Sequence, residues 1–334
     1  MQALSQPLTE RDGVSLREEV RDLSAVDGDR PVRWGSAVRR WRSYIEDTED
    51  VETVMQNKNT GEKACTSKPH RFHPEYADKQ YAKLKDLERG ISADYGKRLH
   101  TAMLTLTASA APDGDQLPPV DHLDGLLESW SAVRRALNRA LDGHRFERLA
   151  ILEPHGGEGT NHGYLHVHIA VFVDGKVSKG DLAPVIRSHV RNCDLAGEDA
   201  HDVTDDSTIS IRHAGADRDL DDDDALDELA IYLAEYLGTY GEDDPLDAPE
   251  HVQASNALLW STGRRRWRPS DGAQQYMKHE PDEEEDAEEP SEWELIGIEK
   301  DGEFLPAEAG ESGGVTTFTT GPVDSSDPPP SGTA

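Results

Sequence analysis

The run YLHVHIAVFV, residues 164–173, most constrains what this chain can fold into: it is apolar enough to demand burial, yet it carries two histidines one residue apart. In a strand, successive side chains point to opposite faces. Leu165, Val167, Ile169, Val171 and Val173 then share one face that must pack against other elements, and Tyr164, His166, His168 and Ala170 share the other. Both imidazoles project to the same side, close enough to hold one ion as neutral ligands. Burying them without partners is costly. The strand therefore asks for a metal, for hydrogen-bonding neighbours, or for solvent on that face.

The preceding segment RFERLAILEP (145–154) also reads as a strand, joined to the first by the Gly-rich HGGEGTNHG. Antiparallel pairing through that hairpin can bring Glu153 beside the histidines. His155, two residues on and on the same face, is the alternative third ligand. Two imidazoles and a carboxylate with open positions suit Mg²⁺ or Mn²⁺ acting on a phosphoryl oxygen. A solvated loop carboxylate is the plainer reading of Glu153.

The surrounding elements follow from periodicity. HTAMLTLTAS (100–109) alternates, with Leu104 and Leu106 on one face and Met103, Thr105 and Thr107 on the other. Residues 121–143 repeat Leu123, Leu126, Leu127, Trp130, Val133, Leu137 and Leu141 at helical spacing and read as one helix. A helix from Lys179 to Arg191, a strand at 207–214 and a helix at 221–240 complete the order β-α-β-β-α-β-α. That order implies an α+β domain, a central, mostly antiparallel sheet with flanking helices. In the last helix Leu226, Leu229, Leu233 and Leu237 define the apolar stripe, and Tyr240 falls inside it. Tyr232 and Tyr236 sit at the rim, four residues apart and on one side. An amphipathic helix that happens to be Tyr-rich would look the same.

Composition divides the rest. Residues 1–62 form a polar, partly disordered N-terminal region; 63–98 a basic helical lead-in; 99–242 the catalytic domain; 243–278 a basic extension. The stretch 279–334 is an acidic, then Pro- and Gly-rich, largely disordered tail with a small hairpin at 291–307. In the extension Arg264, Arg265, Arg266 and Arg268, flanked by Trp260 and Trp267, suit phosphate contacts and base stacking. A basic hairpin packed on acidic surface is the alternative.

Charge needs care, because 67 acidic residues against 35 Lys plus Arg leave a formal net charge of −32. Taken alone, that excess argues against a polyanionic partner. Proteins working in molar salt carry such surfaces, and there the Debye length is only about 3 Å. The acidity then does not exclude DNA. Cys65 and Cys193 lie far apart and imply neither a disulfide framework nor a Cys-based metal site. No apolar run approaches the roughly 18 residues of a membrane helix, and the N-terminus has no signal-peptide core. The expectation is a cytoplasmic protein with no membrane partner.

In this order, MLTLTAS, GYLHVHIAVF and YLAEY resemble the three motifs of HUH endonucleases, and most closely those of two-tyrosine rolling-circle replication initiators (Rep). The acidic composition narrows the resemblance to initiators of haloarchaeal plasmids and pleomorphic viruses. It covers at least residues 99–242, and the segment around Arg264–Arg268 is also similar to that group. The resemblance implies a divalent ion, Mg²⁺ or Mn²⁺, held by His166, His168 and Glu153. It implies Tyr232 as first nucleophile and Tyr236 for the second transfer, with Thr105 and Thr107 in a supporting role. The substrate would be single-stranded or hairpin origin DNA, nicked to a 5′-phosphotyrosine and a free 3′-OH. Host helicase and DNA polymerase would do the rest. One position departs from the pattern: Glu235 stands before Tyr236, where many such enzymes have Lys, which puts the order of the tyrosines in doubt. Two rivals share these features, a two-tyrosine HUH transposase and a non-catalytic DNA-binding regulator of the same fold.

Overall fold

The computed structural model describes residues 2–11, 13–26, 30–67, 70–157, 159–214, 244–277, 292–300 and 302–306. The chain divides into two compact units, residues 1–46 with 71–283 and residues 47–70 with 284–334. The described helices are α1 (Glu18–Val26), α2 (Trp34–Thr48), α3 (Pro74–Tyr95), α4 (Pro119–Glu128), α5 (Trp130–Ala140), α6 (Lys179–Asn192), α7 (Glu250–Thr262) and α8 (Asp271–Tyr276). The strands are β1 (Glu52–Asn57), β2 (Lys63–Ser67), β3 (Leu99–Leu106), β4 (Arg145–Pro154), β5 (Leu165–Asp174), β6 (Ile209–Arg212), β7 (Trp267–Pro269), β8 (Trp293–Lys300) and β9 (Glu303–Pro306). The helix expected at 221–240, with both its rim tyrosines, lies outside the described residues.

In the larger unit five strands lie in the order β6-β3-β5-β4-β7, and every neighbouring pair is antiparallel. This is the α+β architecture that the element order implied. β5 is central and pairs along its whole length, from Leu99↔Asp174 to Leu106↔Val167 with β3 and from Arg145↔Asp174 to Pro154↔Leu165 with β4. Its two faces feed two cores. Leu165, Val167, Ile169, Val171 and Val173 join Leu104, Leu106, Ala150 and Leu152 in the larger one, with side chains of α2, α4, α5, α6 and α7. Ala170 and Phe172 join Leu99, Leu149 and Ile151 in the smaller one, under Leu84, Leu87 and Ile91 of α3 and Ala273 of α8. Each Leu, Ile, Val or Phe among them contributes about 1.5–3 kcal/mol on leaving water. With both faces covered, β5 cannot slip by one residue without exposing a whole apolar set.

One departure from the helical reading involves a distant partner. The single helix expected at 121–143 is broken into α4 and α5 around Ser129, which is buried. His189 Nε2 donates to the Thr107 carbonyl (2.8 Å), so its Nδ1 accepts, and the Ser129 hydroxyl donates to it (2.7 Å). His201 Nε2 accepts the Thr107 N–H (3.1 Å), and its Nδ1 donates to Gly197 O (2.7 Å). Two satisfied core histidines thus fix the backbone where β3 ends.

Segments on both sides of 99–242 also build the larger unit. In α2 Trp34, Ala37, Val38, Trp41 and Ile45 are buried at helical spacing among arginines. Trp34 Nε1 donates to Ala254 O (2.9 Å), tying α2 to α7, and its ring meets Tyr164 edge-on at 5.3 Å. The residues from Val252 to Ser261 are all buried in α7, and β7 adds the fifth strand. In the smaller unit the order is β2-β1-β8-β9. Here β8 and β9 form the hairpin anticipated at 291–307, turning through Gly302 at φ 77°, where a side chain would be strained. β8 also pairs with β1, from Glu52↔Glu299 to Asn57↔Trp293. Among the described residues no helix is long and apolar enough to cross a membrane.

The buried histidines make stability acid-sensitive. Burial pushes His189 and His122 from 6.5 down to about 4, against the opposing hydrogen bonds to Thr107 O and Ala108 O. Both take a proton near 6.5 unfolded but only near 4 folded. Stability is therefore full above about pH 6.5 and falls toward about pH 4, by about 1.4 kcal/mol per pH unit for each group. Urea midpoints measured at fixed molar KCl should drop from about pH 7 to about pH 4.5, with a shallower drop for His189→Gln. A midpoint that does not move contradicts this account.

Candidate metal centre

The register of the central strands assembles the site. Glu153 lies directly opposite His166, Ile151 opposite His168, and Thr105 opposite His168 on the other side. Pairing at this register puts Glu153, His166, His168 and Thr105 on one face, because partners across an antiparallel ladder point the same way. Glu153 Oε2 lies 2.5 Å from His168 Nε2 and 3.4 Å from His166 Nε2, and the two Nε2 atoms are 2.9 Å apart. The two imidazoles are only 7% and 8% exposed. These three residues offer ligand atoms all within 4.8 Å of one another.

The proton inventory favours an ion at their centre. At most one proton fits between the two Nε2 atoms. Thr105 Oγ1 lies 3.2 Å from His168 Nδ1. With Nδ1–H donating to that hydroxyl, the Nε2 lone pair is left facing Glu153, as a metal-ligating histidine requires. His166 Nδ1 is buried without a hydrogen-bond partner. Burial alone would raise the Glu153 carboxyl, but the adjacent His166 and His168 outweigh it and hold it at about 2. Burial pushes His166 down, with Glu153 pulling the other way. At neutral pH the set is a carboxylate with a neutral imidazole at 166, the protonation state that ligation needs. Two imidazole nitrogens and one carboxylate oxygen could hold a divalent ion.

His155, the alternative third ligand, is not one of these three. Its ring stacks on His166 at 4.2 Å and 29°, its Nε2 is buried without a partner, and burial followed by the neighbouring His166 pushes it down to about 3. Two further histidines border the hairpin loop and carry no signal in the strand pattern. His162 Nδ1 donates to Gly157 O (2.9 Å), and its ring lies 5.1 Å from that of His251 on α7. A Cβ on Gly156 would meet His251 Nε2 at 3.1 Å, so this glycine permits the approach. Asn161 Oδ1 accepts the Ala110 N–H (2.9 Å) and ties the loop to the chain beyond β3.

Thr107 is held by His201 and His189 as described and lies apart from the ligand atoms. The basic cluster is split by the fold. Trp267 pairs with Ile151, one strand beyond His168 on the same cross-strand row. Alternation turns Arg266 and Arg268 to the opposite face. Arg264 pairs with Asp124 at 3.5 Å, and Arg265 and Arg268 are exposed. Trp260, expected to flank the cluster as a stacking surface, is instead buried in the core, with its ring 5.2 Å from Tyr44. It falls on a helix buried on all sides, so its indole has no open face for a base. Tyr232 and Tyr236 lie outside the described residues.

A family model described as "Putative rep protein (DUF1424)" matches residues 5–310. An "Uncharacterized 36 kDa protein" of Halobacterium salinarum is 42% identical over 304 residues, covering 89% of this chain and 92% of its own. A protein of the same description from Halobacterium sp. (strain GN101) is 42% identical over 303 residues, covering 87% and 89%. No solved structure matches.

The geometry makes a metal-binding prediction. Calorimetric titration with Mn²⁺ should give one site per chain, abolished by His168→Ala. Thr105→Val removes the hydroxyl that orients His168 and should weaken binding by about 10-fold without unfolding the protein. Unchanged Mn²⁺ affinity in His168→Ala rules the triad out.

Proposed function

The chain belongs to the Rep protein family, and we propose that it initiates rolling-circle replication by nicking one strand of origin DNA through a tyrosine. The observation that carries this reading is the buried Glu153–His166–His168 set on two adjacent central strands, with Thr105 of the third strand at His168. It stands on the second of three motifs that resemble those of two-tyrosine HUH endonucleases.

A divalent ion bound by these residues supplies Lewis acidity at a phosphoryl oxygen. Glu153, held ionised, keeps the set anionic enough to retain that ion. A phenol is a poor nucleophile at its ordinary pKa of about 10, so it needs a phosphorus made electrophilic and an aligned approach. Tyr232 loses its phenolic proton to solvent as Oη attacks the scissile phosphorus, and the P–O3′ bond breaks. The 3′ oxygen leaves as a hydroxyl once protonated, and the 5′ phosphate remains esterified to the tyrosine. Because the bond energy is kept in that ester, rejoining needs no ATP. Tyr236 serves the second transfer, which cuts the regenerated origin and lets the displaced strand close. Trp267, on the same sheet face as His168, offers a stacking surface, and the exposed Arg265 and Arg268 contact phosphates. Host helicase and polymerase extend from the freed 3′-OH. The acidic surface fits work in molar salt, as do the two Halobacterium relatives.

The experiment is a denaturing gel of labelled single-stranded oligonucleotides tiled across the replicon's origin region, with and without Mn²⁺. Wild type should give a protein-linked product only with the metal, Tyr232→Phe should lose it, and Tyr236→Phe should keep the first cut. If no oligonucleotide yields an adduct with wild type, the nicking claim fails.

A further inference from the structure

The outer surface of α5 and α6 reverses the charge balance of the rest of the chain. These helices pack side by side over the larger core, burying Val133, Ala136 and Leu137 of one and Leu182, Val185 and Ile186 of the other. The sides left in solvent carry five exposed arginines, Arg134, Arg135, Arg139, Arg187 and Arg191. α5 has no acidic residue and α6 has one, Asp181, in a chain of 67 acidic residues against 35 Lys plus Arg. Asp181 is committed to its own helix end, where Oδ2 accepts the Ser178 N–H (2.9 Å) and hydroxyl (2.6 Å). Glu128, Asp142 and Asp194 border the surface at the helix ends. None of the five arginines forms an ion pair, and Arg135 donates to Ser131 Oγ (3.0 Å). Arginines elsewhere in this unit do find carboxylates: Arg11 pairs with Asp121, Arg98 with Asp174 and Arg145 with Asp94.

A purely structural role accounts for two of the five. Arg139 and Arg191 lie in the last turns of their helices, where cations are favoured. Arg134, Arg135 and Arg187 have no such benefit. Arg135 and Arg139, like Arg187 and Arg191, are four residues apart, so each pair repeats along one side of its helix at about 6 Å. A guanidinium meets phosphate through paired N–H donors, and rows of them suit a phosphate backbone. Between the arginines the exposed side chains are small or polar, Ser131 and Asn138 on α5 and Pro184 on α6. Among the described residues the exposed large apolar side chains are Phe304 and Leu305, both in the smaller unit, so this surface has nothing to insert into a membrane. Single strands are held by bases stacked on open rings. The one indole on these helices, Trp130, has the Arg148 guanidinium over it at 5.2 Å. A duplex keeps its bases inside and asks only for donors to its phosphates.

We propose that the α5–α6 surface binds the phosphate backbone of double-stranded DNA, without reading its sequence, on the side of the sheet opposite the Glu153–His166–His168 centre. Backbone contacts set a protein's position on a duplex and carry no sequence information. The larger core under α5 and α6 takes Leu165, Val167 and Ile169 from β5, which alternate with His166 and His168. The contact therefore uses neither the metal ligands nor a tyrosine, and it does not rest on the nicking reading. Counterion release yields little in molar salt, so binding there is weak and strengthens as salt falls.

Fluorescence anisotropy of a labelled random-sequence duplex tests it, with the full chain, EDTA, and KCl varied between about 0.5 and 2 M. Wild type should bind, with log K falling against log[KCl] at a slope of about −4 to −5 when all five arginines engage phosphates. Arg135→Gln with Arg139→Gln, and separately Arg187→Gln with Arg191→Gln, should weaken binding equally for AT-rich and GC-rich duplexes and make the slope shallower by about 2. Circular dichroism checks that both double variants fold. Arg89→Gln removes an exposed arginine of α3, on the other side of the sheet, and should change nothing. No binding by wild type, unchanged slopes in both double variants, an equal loss in Arg89→Gln, or tighter binding of a single strand overturns the proposal. Wild type that ignores the duplex but self-associates through these arginines assigns the surface to the acidic face of a second copy, and overturns it too. EDTA removes cleavage from the readout, so a chain that never nicks DNA gives the same answer.

Discussion

Everything at the candidate site depends on the register of β4 against β5. Glu153 meets His166 because the two residues pair directly, and a slip of one residue would send the carboxylate to the opposite face. The polar residues do not hold that register. It is held by apolar side chains on both faces of β5, with the larger core on one side and α3 and α8 on the other. A half-buried carboxylate beside two buried imidazoles is expensive to assemble. The surrounding hydrophobic burial makes this the cheapest arrangement available to the chain, and an ion at the centre would offset the remaining cost.

The same logic explains the histidines that are not ligands. His189 and His201 both bond Thr107 at the end of β3, and each ring nitrogen has a partner in Thr107, Ser129 or Gly197. They are structural, and they make the end of β3 rigid. That rigidity passes to Thr105, two residues earlier, whose hydroxyl orients His168. His189 and His201 commit Nε2 to Thr107, whereas His166 and His168 turn theirs toward Glu153.

Much of this was legible in the sequence because alternation is a local signal. The facing of β5, the pairing of Glu153 with the histidines and the antiparallel sheet all follow from period-two patterns joined by a short Gly-rich loop. What was not legible depends on distant partners. The break at Ser129 exists because its hydroxyl serves His189, sixty residues on, and no pattern around Ser129 announces it. The α2 stripe is hidden by the arginines between its indoles, and β7 is three residues long, too short to show a period. Trp260 misled for a related reason: its neighbours Arg264–Arg268 suggested an exposed basic surface, while the preceding turns of α7 carry it into the core. β1 and β8 find each other across most of the chain, and nothing in either segment specifies the other.

Salt ties the electrostatics together. With a net charge of −32, long-range attraction to a polyanion is unfavourable in dilute buffer, and at molar ionic strength it is screened beyond about 3 Å. Counterion release also yields little affinity there, so exposed arginines such as Arg265 and Arg268 gain little from charge alone. A charged group keeps its strength in such a medium only where water and salt are excluded. Among the described residues the Glu153–His166–His168 set is one place where charge is withdrawn from solvent. A chain that has to handle phosphates in brine is better served by geometrically committed groups than by charge alone.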